Sequence, residues 1–92
     1  MTRLANLKRK WIQDPAFKAE YDALEDEFAL IRALIDARAR AGLTQAELAE
    51  RMGTTQSAIA RMEGGRVNPS IGMLRRYAEA TGTRLRLRLD EA

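Results

Sequence analysis

The sequence contains neither cysteine nor histidine. Without cysteine, disulfide stapling and thiolate zinc sites are excluded. Without histidine, the commonest catalytic base is missing as well. An enzyme built on what remains would need a lysine or carboxylate nucleophile in an enclosed pocket, which a chain of 92 residues rarely forms. A protein that is not an enzyme and carries no metal and no cofactor is therefore expected. No apolar run approaches the roughly 20 residues needed to cross a bilayer. The stretch from Met1 to Trp11 has basic residues but not the apolar core of a secretory signal, so a cytoplasmic location is expected, with no membrane partner. What is present, 46% apolar and 32% charged residues, describes a soluble globular chain with room for one small domain and at most an arm.

Charge is distributed in blocks although the net value is only +3. Residues 1–13 hold Arg3, Lys8, Arg9 and Lys10 and no acid. Residues 14–27 hold Asp14, Glu20, Asp22, Glu25, Asp26 and Glu27 against Lys18 alone. Residues 51–76 hold Arg51, Arg61, Arg66, Arg75 and Arg76 against Glu63. The last block is a candidate polyanion surface and the acidic one a candidate contact for a basic partner; two solvated helix faces of opposite sign are the alternative.

Local signals then divide the chain. Asp14 before Pro15 reads as a helix start, since aspartate caps free amides and proline suits the first helical position. Phe17, Tyr21, Leu24, Phe28, Ile31, Leu34 and Ile35 recur at steps of three and four, one apolar stripe along a helix that would run to Gly42, about 40 Å. Asp22 and Asp26, four apart and of like charge, predict a break or a soft joint near 25–27. Thr44-Gln-Ala-Glu47 is a capping box opening a helix over 45–52. Thr55 caps a helix over 56–63, with Ala58, Ile59 and Met62 on one side. Ser70 caps a helix over 71–81 that buries Ile71, Leu74, Tyr77 and Ala78. After Gly82 the period changes to two: Leu85, Leu87 and Leu89 alternate with Arg84, Arg86 and Arg88, a strand with one buried face. Such a strand needs a partner, and the economical one is the same strand of a second copy across a two-fold axis; a fraying tail and pairing with the amino-terminal arm are the alternatives.

Two short helices joined by Met52-Gly-Thr-Thr55 have the size of a helix-turn-helix. The run from Gly42 to Ser70, GLTQAELAERMGTTQSAIARMEGGRVNPS, resembles the DNA-binding domain of the phage Cro and C1 repressor family, also called XRE. That resemblance implies a partner, double-stranded operator DNA, and assigns Gln56, Ser57 and Arg61 to base edges. The chemistry agrees: glutamine suits adenine, arginine suits guanine, and serine suits several bases. It also assigns Gln45, Thr55, Arg66, Asn68 and Ser70 to the phosphate backbone. Thr44, Thr55 and Ser70 have a second reading as helix caps alone. Glu63 matches a family acid that pairs with an arginine on the preceding long helix, for which Arg38 is in register.

Asp-Pro-Ala-Phe17, Tyr21 and Glu27-Phe-Ala-Leu30 ahead of this motif, with the alternating strand behind it, resemble HigA-type antitoxins. By that resemblance one part of the chain binds a small basic mRNA-cleaving toxin of the RelE/HigB-like class and the other part binds its own promoter. Trp11, Phe17, Tyr21 and Leu24 would then anchor the toxin, unless the stripe packs on its own domain. The expected fold is mainly α: a phage-repressor-like helix-turn-helix domain over 26–82, an amino-terminal, partly helical arm over 1–25, and a carboxy-terminal dimerisation strand over 83–92 using Leu85, Leu87 and Leu89. The expected activity is repression by an antitoxin. A stand-alone regulator and a protein-interaction module without DNA binding are the alternatives.

Overall fold

The computed structural model describes residues 14–91. They form four helices: α1 (Pro15–Arg40), α2 (Gln45–Met52), α3 (Gln56–Glu63) and α4 (Ile71–Ala80). The described residues fall into two compact units, one up to Leu30 and one from Ile31 onward, with α1 contributing to both.

In the first unit, the Asp14 carboxylate accepts a hydrogen bond from the Ala16 amide (3.0 Å) and its carbonyl takes the first helical bond, from Lys18 (2.8 Å). The Phe17 and Tyr21 rings stack at 6.3 Å between centroids, and the Tyr21 hydroxyl donates to Glu25 Oε1 one turn on (2.8 Å). The break expected near 25–27 does not occur, and α1 is continuous. No glycine or proline interrupts residues 16–41, so every backbone bond survives. The Asp22–Asp26 repulsion costs only a few tenths of a kcal/mol, too little to open a helix of good helix formers. The apolar stripe is real as a spacing but not as a buried face: Leu24, Phe28 and Ile35 are exposed, and Leu34 alone in α1 is buried. Trp11 lies outside the described residues.

The second unit has a core of Leu34, Leu43, Leu48, Ala49, Met52, Ile59, Met62, Tyr77 and Ala78, with Leu48, Ile59 and Tyr77 fully enclosed. Helix α2 packs against both α3 and α4. The capping box forms as its sequence dictates: Thr44 Oγ1 accepts from the Glu47 amide (3.1 Å) while Glu47 Oε1 accepts from the Thr44 amide (3.0 Å). Gly53 adopts φ +67°, where side chains are strained, and so lets the Thr54 amide reach back to the Ala49 carbonyl (2.9 Å). That reversal sets the direction in which α3 leaves α2. Gly65, at φ +70°, sits in the same left-handed region, and a Cβ there would stand 2.9 Å from Ile31 Cδ1, a terminal methyl that can move aside.

Arg51 and Arg76 are more than solvated helix charges. Arg76 of α4 donates to the Met52 carbonyl at the end of α2, and Arg51 of α2 donates to the Ala80 carbonyl at the end of α4 (3.3 Å). The two helices thus cap each other's carboxyl ends across a cleft of about 460 Å³, each cation answering the free carbonyls and the negative end of the other's dipole.

Two expectations change. Ile71 is not buried but 53% exposed, because as the first residue of α4 it precedes the turn that meets the core; Tyr77 and Ala78 carry the packing instead. No strand is present among the described residues, and 83–91 has no regular structure. A lone extended segment has no ladder to join, and the described residues of one copy offer none.

Candidate nucleic-acid interface

Helix α3 is positioned by one cluster that draws a side chain from each helix. The Arg38 guanidinium holds the Glu63 carboxylate through two bonds, Nε to Oε2 and Nη2 to Oε1, both 2.8 Å, and a third donor reaches the Leu43 carbonyl (3.0 Å). Gln45 Nε2 donates to the same Glu63 Oε1 (3.1 Å). The Tyr77 hydroxyl lies 2.8 Å from Glu63 Oε2 and 2.7 Å from the Leu34 carbonyl oxygen, its single proton facing both acceptors. The expected Arg38–Glu63 pair is therefore formed, inside a larger network. Among the described residues no buried side-chain polar atom lacks a partner.

The network shifts its members in opposing directions. Burial pulls the Glu63 carboxyl upward, but bonds from Arg38, Tyr77 and Gln45 outweigh it and hold the group below the usual carboxylate range. The bond to Glu63 raises Arg38 against the opposing effect of burial. Burial first, and then the neighbouring Glu63 charge, push the Tyr77 phenol far up, so it stays a neutral donor.

With α3 locked on one side, its other side faces solvent. Gln56, Ser57, Ala60 and Arg61 are all exposed, and Ser57 and Arg61 stand one turn apart on the same face. Thr55 caps the helix through Oγ1, accepting from the Ala58 amide (3.1 Å), and Ser70 caps α4 in the same way with the Met73 amide (3.1 Å). Both hydroxyls keep a proton to donate, so capping and a phosphate contact are compatible. Arg66 and Asn68 are exposed in the connection between α3 and α4. Gln45 is half-buried because its amide turns inward to Glu63, a link that spacing alone does not reveal. Ala60 carries no polar group to mark it in the sequence, yet its exposure one turn after Gln56 makes it a candidate for apolar contact with a thymine methyl.

Residues 34–87 match the helix-turn-helix family model. The chain belongs to the helix-turn-helix family. Among curated helix-turn-helix relatives, it is 39% identical over 77 residues to Antitoxin HigA1 of Mycobacterium tuberculosis, in two strains, an alignment covering 84% of this chain and 52% of the relative. It is 49% identical over 45 residues to an uncharacterized HTH-type transcriptional regulator of Methanothermobacter thermautotrophicus, covering 49% of this chain and 65% of the relative. The chain spans about half the length of the HigA1 relatives it matches. No solved structure matches it. No helix among the described residues is long and apolar enough to cross a membrane.

Proposed function

We propose that this helix-turn-helix protein is a sequence-specific binder of double-stranded DNA that represses transcription, and that it is the antitoxin of a toxin–antitoxin pair, regulating its own operon. It is not an enzyme, acts in the cytoplasm, and works as a homodimer through 83–92. The observation that carries the DNA reading is the turn from Gly53 to Thr55, which leaves Gln56 and Ser57 at the start of α3, and Arg61 one turn after Ser57, in solvent while Ile59, Met62 and Glu63 hold its back. These three residues read bases; Gln45, Thr55, Arg66, Asn68 and Ser70 set register on phosphates. The antitoxin reading is supported by the likeness to Antitoxin HigA1 across most of the chain. In it the arm over 1–25, with Trp11, Phe17, Tyr21 and Leu24, engages a small basic mRNA-cleaving toxin, to which the acids of 14–27 are complementary.

A gel-shift titration against the chain's own promoter tests the DNA reading. Gln56→Ala with Arg61→Ala should remove the preference for operator over scrambled DNA, each base contact being worth about 1–3 kcal/mol. An unchanged preference refutes the assignment. Gln45→Ala should weaken binding to both DNAs alike. The stand-alone regulator gains from the second relative, whose likeness covers about half of this chain. Co-expression with a small basic toxin, if the neighbouring reading frame encodes one, separates the two: Phe17→Ala with Tyr21→Ala should abolish protection and spare operator binding if the chain is an antitoxin.

A further inference from the structure

Residues 84–90 keep strict alternation, with Leu85, Leu87 and Leu89 at odd positions and Arg84, Arg86, Arg88 and Asp90 at even ones. The Arg88–Asp90 ion pair (3.0 Å) draws Asp90 onto the arginine face. Along the segment the leucines leave the domain step by step: Leu85 is half-buried, Leu87 is 62% exposed and Leu89 is 101% exposed. Beside Leu85, a hollow of about 370 Å³ opens against α4, lined by Arg75, Ala78, Glu79, Thr83 and Arg84.

We infer that this segment pairs antiparallel with its counterpart from a second copy in one register, centred on Leu87, so that Leu85 of each chain faces the partner's Leu89 and Arg84 faces the partner's Asp90. The inference rests on the homodimer of the proposed function and specifies its interface.

The register follows by elimination. Two strands that share a leucine face must set odd positions against odd ones, since a slip of one residue turns every side chain over. Centring on Arg86 leaves Leu89 opposite Thr83 and sets Arg84 against Arg88, with no opposite charges matched. Centring on Arg88 matches Arg86 with the partner's Asp90 but sets Arg88 against itself and Leu85 against Glu91, an apolar residue opposite a carboxylate. Centring on Leu85 leaves Leu89 beyond the ladder. Only the Leu87 centre gives every leucine a leucine; it also sets Arg84 against the partner's Asp90 at both ends, which offsets the two like-charge Arg86–Arg88 pairs beside the centre, so the leucine matching decides the register. The exposure gradient fits the same register. The most exposed leucine of one copy meets the best anchored leucine of the other, at the mouth of the hollow against α4. Asp90 then lies between Arg88 of its own strand and the partner's Arg84.

The absence of cysteine makes the test clean, because an introduced cysteine is the only thiol in the chain. Directly opposed side chains have Cβ atoms about 4.5–5.5 Å apart and bridge with little movement, whereas diagonal neighbours at about 7–8 Å do not. In the full-length dimer, Leu87→Cys should form a disulfide with its own copy under mild oxidation. Leu85→Cys and Leu89→Cys should cross-link when mixed and at least tenfold less when alone. Faster self-linking of Arg86→Cys, Arg88→Cys or Leu85→Cys than of Leu87→Cys overturns the register while leaving the dimer standing. Sedimentation supplies a second readout: Arg84→Asp should weaken the dimer by about tenfold through its two symmetric contacts, and adding Asp90→Arg should recover most of that loss. A double variant no tighter than Arg84→Asp alone overturns the ion pair. A wild-type chain that sediments as a monomer overturns the dimer and the register together. Helical circular dichroism should not change in any variant, since none lies in a helix.

Discussion

Residues 43–62 and residues 83–91 carry equally regular apolar spacings, yet the first set is buried and the second is not. Leu43, Leu48, Ala49, Met52, Ile59 and Met62 close on one another and on Tyr77, whereas Leu87 and Leu89 stand in solvent, as do Leu24 and Phe28 on the first part of α1. Periodicity states which side chains share a face; it does not state what covers that face. In the helix-turn-helix core the cover lies in the same chain, a few turns away, and in the flanks no described residue supplies it.

The sharpest break of this contrast is a matched pair of truncations. Leu48 is fully enclosed, so Leu48→Ala should cost about 3–4 kcal/mol of unfolding free energy, lost transfer energy plus a cavity that neighbours on three helices cannot fill. Leu89→Ala should leave the unfolding of a dilute, monomeric sample within about 0.5 kcal/mol of wild type, having no burial to lose. Urea titrations of both variants decide it, and equal losses would mean that the tail is covered within one chain.

The next effect concerns the polar centre of the core. Removing Glu63 leaves the Arg38 charge and the Tyr77 hydroxyl without their shared acceptor. A fully buried pair broken in this way costs about 3–5 kcal/mol, and because the Arg38 side chain is 20% exposed, the lower end, about 3 kcal/mol, is expected for Glu63→Ala. The pH dependence follows from the direction of the shift. A carboxyl held below its unfolded value contributes stability that is present above about pH 4.3 and is lost as pH falls through the lowered folded value. Wild-type stability should therefore decline with acid more steeply than that of Glu63→Gln. Parallel acid profiles of the two proteins would show that the network is not what titrates.

The part of the fold legible in the sequence was the part written in local chemistry. Thr44, Thr55 and Ser70 cap the helices they precede, and Gly53 makes the turn its position called for. Pairing Glu63 with Arg38 was also legible, but only through family resemblance, since the two lie 25 positions apart. Gln45 and Tyr77 joining them was not, because convergence of four helices on one carboxylate is a property of packing. The continuity of α1 is not legible in its charges for the opposite reason: the Asp22–Asp26 repulsion is local and small beside the backbone bonds a break would lose. As for the site, spacing placed Gln56, Ser57 and Arg61 on solvent, while the inward turn of Gln45 needed three-dimensional structure.

A smaller test sharpens the capping argument. Ser70→Ala removes one hydrogen bond at an exposed helix end and should cost about 1 kcal/mol, with the α4 terminus fraying. If Ser70 also holds a phosphate, operator affinity should fall by more than this loss of stability predicts, and Ser70→Thr, which keeps both functions, should restore it. A stability loss with unchanged affinity for DNA would leave Ser70 a cap only.

The smallest expected effect is the most telling about the flank. Leu24 and Phe28 lie one turn apart on α1, both about half exposed, in the unit where no described residue is buried. Replacing each with alanine removes two large apolar side chains but deletes no enclosed contact, and alanine favours helix at least as well as leucine or phenylalanine. Gain and loss should nearly cancel, leaving the unfolding free energy from urea titration within about 0.5 kcal/mol of wild type and helical circular dichroism unchanged. A loss above about 1 kcal/mol would mean that this face is covered in the free chain, and the arm reading would fall. If stability holds, the same variant asks what the exposed face is for. In the antitoxin reading, Leu24 is part of the toxin contact, so protection from the toxin should weaken in cells while operator binding by the purified protein does not change. Stability, DNA binding and protection all left intact would remove Leu24 from the contact and confine it to the residues before it.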